Sequence, residues 1–201
     1  MKVEYKVLCT ENNQQRIDNV GAMKTQLPPL KIIMSGRDGL FERFVSLFNL
    51  SSGFDGLVIL EDDVRLCKDF QRRCEELILS KPYEVISMFE SACSKGELHS
   101  EYRNGGRYQW NQCNYFPKSV CNELVKKSNV EAFRGWYKTK YSVWTYPSDT
   151  YIGYVLGKMK LKYWMQVPFL VQHLDFKSTL GPRPTNRQSR FFIDDVEAKN
   201  D

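Results

Sequence analysis

With 201 residues, 42% of them hydrophobic and 26% charged, the chain has the composition of a globular domain long enough to bury a core, which excludes a disordered tail and a disulfide-dependent miniprotein. The formal net charge of +5 favours anionic partners such as nucleotides, phosphates or nucleic acid, although a solvated basic surface has the same composition. No stretch approaches the roughly 18 apolar residues of a membrane span, and the N-terminus lacks the apolar segment of a signal peptide, so the protein is expected to remain in the cytoplasm.

Alternation around Val3, Tyr5 and Val7 predicts a first strand over residues 2–9, interrupted by the polar stretch from Thr10 to Gln15. Ile17, Val20, Met23 and Leu27 then recur at helical spacing until Pro28 and Pro29 stop the helix. Leu30 to Met34 make a second strand, Ser35 to Gly39 a turn, and Phe41, Phe44, Val45 and Phe48 one face of a helix over 40–50. A third strand follows, then a helix over 68–80 with Phe70, Cys74, Leu77 and Ile78 inward, and a strand over 84–89. Strands alternating with helices predict an α/β fold with a mixed, mostly parallel sheet and right-handed crossovers.

From Ser91 to Gln112 the sequence is rich in Gly, Asn, Ser and Tyr without periodicity, and reads as a long irregular loop of the kind used for binding. A short strand at 114–116 and a helix over 118–127 come next. Residues 133–146 then carry six aromatic side chains among lysines, Pro147-Ser148-Asp149 opens a helix running to about Leu156 with Ser148 or Asp149 as N-cap, and 161–171 is strand-like. Lys177, Arg183, Arg187 and Arg190 make the end of the chain basic. The six cysteines form no C-x-x-C pair and are expected to be reduced and mostly buried.

The third strand carries the chemistry. Leu57 to Leu60 is an unbroken aliphatic run, suited to a strand buried on both faces, and it ends in Glu61, Asp62 and Asp63. Unpaired charges are too costly inside a sheet, so the acids should emerge at its carboxyl edge, where open α/β sheets place ligands. Carboxylates there are hard oxygen ligands suited to Mg²⁺ or Mn²⁺. If the strand continued extended, Glu61 and Asp63 would share a face and Asp62 would point elsewhere.

An apolar strand ending in Glu61-Asp62-Asp63 resembles the DxD-type motif of nucleotide-sugar glycosyltransferases of the GT-A fold. The phrase Leu57 to Val64 is similar to glycosyltransferase family 25 and to small viral, phage and bacterial relatives, as are the helix start after Thr10, Pro147 to Thr150, and Val171-Gln172-His173. The resemblance spans residues 2 to about 181. It implies a single domain with a nucleotide-binding half over 1–90, an acceptor-side half over 91–181 and a basic tail over 182–201, placed in the host cytoplasm if virus-encoded.

The resemblance further implies Mn²⁺ or Mg²⁺ held by Asp63 and His173, and a nucleotide-sugar donor, a uridine diphosphate sugar first. Glu61 or Asp62 would serve the ribose or a metal-bound water, and Thr10, Arg16, Ser35 and Arg37 would contact the nucleotide, with an arginine near the diphosphate. Asp149 would be the general base of an inverting transfer, or would orient the sugar in a retaining one. Expected acceptors are a hydroxyl on a glycan, a glycoprotein or a modified nucleic-acid base, with Trp110, Trp136, Tyr137 and Trp144 available for stacking. Structural readings compete: the acids as caps of the next helix or partners of Arg65, His173 as a core residue, and Asp149 as a helix cap. Two other functions remain open from sequence: a metal-dependent nucleotidyltransferase, which would want a glycine-rich phosphate loop absent from Thr10 to Gln15, and a nucleic-acid-binding protein using the basic aromatic segment, which leaves the acids unexplained.

Overall fold

The computed structural model describes residues 1–36, 39–90, 99–108, 111–141, 146–176, 188–189 and 191–194. The expectations for Arg37, Trp110, Trp144, Lys177, Arg183, Arg187 and Arg190 fall outside these residues.

The first half follows the predicted alternation. β1 (Val3–Thr10), α1 (Gln14–Gln26), β2 (Lys31–Ser35), α2 (Leu40–Leu47) and β3 (Gly56–Glu61) succeed one another, and β4 (Val64–Leu66), α3 (Phe70–Ser80) and β5 (Val85–Ser87) follow. Later come β6 (Glu101–Asn104), a 3-10 turn at Gly105–Arg107, β7 (Cys113–Pro117), α4 (Lys118–Leu124), α5 (Lys127–Tyr141), α6 (Ser148–Lys158), β8 (Lys162–Met165) and β9 (Val171–His173). Seven strands form one sheet in the order β2-β1-β3-β7-β5-β8-β6, in which β7 and β6 run antiparallel to the others. This is a mixed, mostly parallel Rossmann-like α/β sheet flanked by six helices among the described residues.

β3 shows why the sheet needs both layers. Val58 and Leu60 enter one apolar cluster with Val20 and Met23 of α1, its C-cap Leu27, and Phe70, Cys74 and Ile78 of α3. Leu57 and Ile59 enter the other, with Phe41, Phe44 and Leu47 of α2 and the buried faces of α4, α5 and α6. All four side chains are at most 3% exposed. An aliphatic run without polar alternation is therefore the pattern that a strand covered on both faces requires.

The chain departs from the sequence expectation at several places. The strand is read from the sequence as ending in Glu61-Asp62-Asp63; it leaves the sheet after Glu61, turns through Asp62 and Asp63, and the chain then forms β4, which pairs antiparallel with β9 in a separate ribbon. Where the charges begin, a ladder position offers a carboxylate too few donors, and the turn supplies them. The expected loop over 91–112 is in part an edge strand, β6, whose pairing with β8 was masked by its polar sequence Glu-Tyr-Arg-Asn. The aromatic segment beyond residue 133 lies largely in α5, with Phe133 and Tyr137 buried. The strand-like stretch 161–171 divides into β8 and the start of β9.

Candidate active site

Parallel pairing fixes the geometry of the site's floor. Thr10 pairs with Ser35 and Leu8 with Glu61, so the carboxyl ends of β1, β2 and β3 lie side by side at one edge of the sheet. Thr10, Ser35 and the acid turn are thereby gathered. Ser35 is buried, with its hydroxyl donating to the Gly36 carbonyl at 3.1 Å.

At this edge Asp62 and Asp63 are 3% and 2% exposed, and Arg16, 7% exposed, lies across them. Its Nη1 donates to Asp62 Oδ1, and its Nη2 to Asp63 Oδ2 at 2.7 Å. Asp62 Oδ2 also accepts the Thr10 backbone N–H at 2.7 Å. Burial by itself would lower the guanidinium pKa, but Asp63 and then Asp62 hold it above its ordinary value, so Arg16 is a permanent cation here. Arg16 reaches the acids because it stands in the first turn of α1, where the Asn13 side chain accepts the Arg16 N–H at 3.2 Å as N-cap. Asn19, one turn further, donates to the carbonyls of Asp62 and Val64 at 3.0 and 2.9 Å and fixes the backbone of the acid turn.

The strand-alternation expectation for the acids is therefore corrected. It is Asp62 and Asp63 that converge on one cation, and Glu61 that goes elsewhere, because period-two alternation lapses where the chain turns. Glu61 Oε2 accepts from Gln112 Nε2 at 2.9 Å.

His173 arrives through the ribbon. Pairing of Val64 with His173 sets the ring beside Asp63, and the Leu174 N–H donates to the Asp63 carbonyl at 2.8 Å. The imidazole is fully buried, with Nε2 3.4 Å from Asp63 Oδ2. Nδ1 accepts the Asp175 N–H at 2.8 Å, which leaves the hydrogen of a neutral ring on Nε2. Asp175 Oδ1 also stands 3.1 Å from Nδ1, ready to accept a hydrogen in the other tautomer, which would turn the Nε2 lone pair toward Asp63.

These donors meet the requirement of a shared cation. Two ligands each about 2.0–2.2 Å from one ion stand about 3–4 Å apart, and 3.4 Å falls within that span. Nε2 makes no hydrogen bond among the described residues. Among the described residues no group of three His, Cys, Asp or Glu side chains is arranged for a metal, so Asp63 and His173 could supply at most two ligands to an ion here. A phosphate-bridging ion needs its other positions open.

A polar bridge joins the acid turn to the start of α6. The Gln112 backbone carbonyl accepts the Glu61 N–H at 3.0 Å and the Gln112 side-chain amide donates to the Glu61 carboxylate, while neighbouring Asn111 donates to Ser148 Oγ at 2.6 Å. Asp149 follows Ser148. The N-cap of α6 is Pro147 rather than either expected residue, and the Asp149 carboxylate accepts the Thr150 N–H at 2.7 Å from within the first turn. Asp149 lines an open groove of about 720 Å³ together with Tyr108, Trp136, Lys140, Tyr141 and Tyr154. Burial first, then Tyr163, Asp149 and Glu61, raise the Tyr108 phenol well above its ordinary range, so it stays a hydrogen-bond donor. The Tyr108 hydroxyl, Asn111 Oδ1 and Gln112 Oε1 are buried without a hydrogen-bond partner among the described residues.

Asn111, Gln112 and Asn19 were not singled out from the sequence. Nothing in their spacing marks them, and only the acids that they hold could have pointed to them. The expectation that the cysteines are mostly buried holds among the described residues, where Cys9, Cys67, Cys74, Cys113 and Cys121 are buried, and burial, followed by Asp62, pushes the Cys9 thiol up to about 11.

No protein-family profile matches the sequence, and no curated protein matches it. Among solved structures, the chain is similar in fold to the A197 protein from STIV, with a TM-score of 0.53 at 12% identity, covering 94% of this chain and 95% of that one. A glycosyltransferase involved in glycosylation of the major capsid of PBCV-1 is more distant, with a TM-score of 0.49 at 11% identity over 87% of this chain and 94% of that one.

Proposed function

We propose that the protein is a metal-dependent glycosyltransferase that moves a sugar from a nucleoside diphosphate donor, a uridine diphosphate sugar first, to an acceptor hydroxyl on a glycan, glycoprotein or modified nucleic-acid base. One observation carries the reading: Asp63 and His173, far apart in sequence, face each other at 3.4 Å on the carboxyl edge of the sheet, where Thr10, Ser35 and Arg16 also converge.

Each group then has a task. Asp63 and His173 would hold Mn²⁺ or Mg²⁺, which when bound supplies Lewis-acid stabilisation of the departing diphosphate. The main chain at the ends of β1 and β2 would contact the nucleoside, and Arg16 would bring a positive charge to the phosphate side. Glu61, tied to Gln112, would serve the ribose. Across the Gln112–Asn111 bridge, Asp149 stands at the acceptor groove as the group that takes the acceptor proton or orients the sugar, and the aromatic lining offers stacking faces. The turn between β1 and α1 contains no glycine, so it lacks the phosphate cradle that a nucleotidyltransferase would want.

The test is a thermal-shift screen of nucleotide sugars with and without Mn²⁺, followed by donor hydrolysis. The expected result is a shift that needs donor and metal together and is lost in Asp63→Ala. A full shift and undiminished metal-dependent hydrolysis in Asp63→Ala would overturn the reading.

A further inference from the structure

We propose that Arg16 is a resident counter-cation of the acid turn, and that a divalent ion reaches Asp63 only by displacing it. The inference rests on the metal reading above and concerns the partner of the two buried carboxylates. Asp62 and Asp63 are nearly sealed from water, and two adjacent carboxyl groups in that setting call for a positive partner. Arg16 supplies it, with one guanidinium nitrogen on each acid.

The conflict centres on a single oxygen. Asp63 Oδ2 already accepts Arg16 Nη2 at 2.7 Å and is the atom that faces His173 Nε2 at 3.4 Å. An ion ligated by Oδ2 at about 2.1 Å would stand within about 5 Å of Nη2, two like charges in a dry site. Asp62 is anchored by the Thr10 N–H, and the Arg16 backbone is held by Asn13, so the part that yields to the ion is the guanidinium. Arg16 Nε is buried without a hydrogen-bond partner among the described residues, so this pose leaves a donor unsatisfied. A phosphate oxygen of the donor substrate would satisfy the displaced guanidinium. Metal and nucleoside diphosphate therefore favour each other's binding: the first frees Arg16, and the second receives it.

The experiment titrates Mn²⁺ alone into wild type and Arg16→Gln, reading bound ion by electron paramagnetic resonance. The expected result is at least tenfold tighter Mn²⁺ binding in the variant, and a larger rise in its melting temperature with Mn²⁺ than in wild type. Binding that is equal or weaker in Arg16→Gln overturns the proposal alone, whereas no binding by either protein overturns it together with the metal reading. A second measurement needs no variant to fold without metal. In wild type titrated with Mg²⁺, the Arg16 side-chain Nε–H resonance should shift in step with occupancy, and a resonance that stays fixed while Mg²⁺ binds refutes displacement.

Discussion

Asp62 and Asp63 are neighbours with almost the same exposure, yet their partners divide them. Asp62 is spent on structure, holding the end of β1 through the Thr10 N–H and one arm of Arg16. Asp63 faces His173. Asp62→Asn should therefore lower stability by about 1–3 kcal/mol in denaturant titrations while leaving Mn²⁺ binding measurable. Asp175, which can orient the His173 ring, should matter in the opposite way: Asp175→Asn is expected to weaken Mn²⁺ binding ten- to a hundredfold with little change in melting temperature. The types of side chain at the site were legible from sequence, because three acids after an aliphatic strand have few places to go. The pairing of Arg16 with two of them was not, since it depends on a turn that begins where strand alternation was taken to continue.

Elements were most legible where both periodicity and burial are strong. β3 could be read from four residues, because its neighbours cover both faces. β6 could not, because an edge strand has one side without a neighbour, and its outward residues are spent on surface partners: Tyr102 on Glu84, Arg103 on Glu90. The 3-10 turn that follows is equally silent in sequence but exacting in space. A Cβ on Gly105 would come within 2.5 Å of the Leu161 carbonyl oxygen and 2.6 Å of Leu156 Cβ, so the turn and α6 approach each other only through a glycine. Gly105→Ala should destabilise the protein by about 1–3 kcal/mol in thermal or chemical unfolding. It should also raise the acceptor KM more than the donor KM, because the displaced turn borders the groove.

Across the described residues the two faces of the sheet are covered by helices, and a second buried ionic cluster lies away from the acid turn. Glu4 is 2% exposed and accepts from Lys31 Nζ, the Ser51 N–H and the Ser51 hydroxyl, while Lys6 Nζ stands 3.4 Å away and donates to the carbonyls of Leu47 and Asn49. Burial alone would raise the Glu4 carboxyl, but the bonds from Lys31 and Ser51 and the charge of Lys6 outweigh it and bring its pKa down from 4.5 to about 2. A depressed pKa stabilises the fold above the unfolded value and is lost as pH falls through the folded one. Glu4→Gln should thus cost about 2 kcal/mol at pH 7, and its deficit against wild type should close between about pH 4.5 and 2 in urea titrations. The β4–β9 ribbon has a consequence in time. Its three rungs join segments far apart in sequence, and the ends of so long a loop meet late and part early. Asp63 and His173 thus become a pair only after most of the chain has been synthesised and folded, and hydrogen exchange should find the Leu174 amide opening before those of β3, with added Mn²⁺ slowing it selectively.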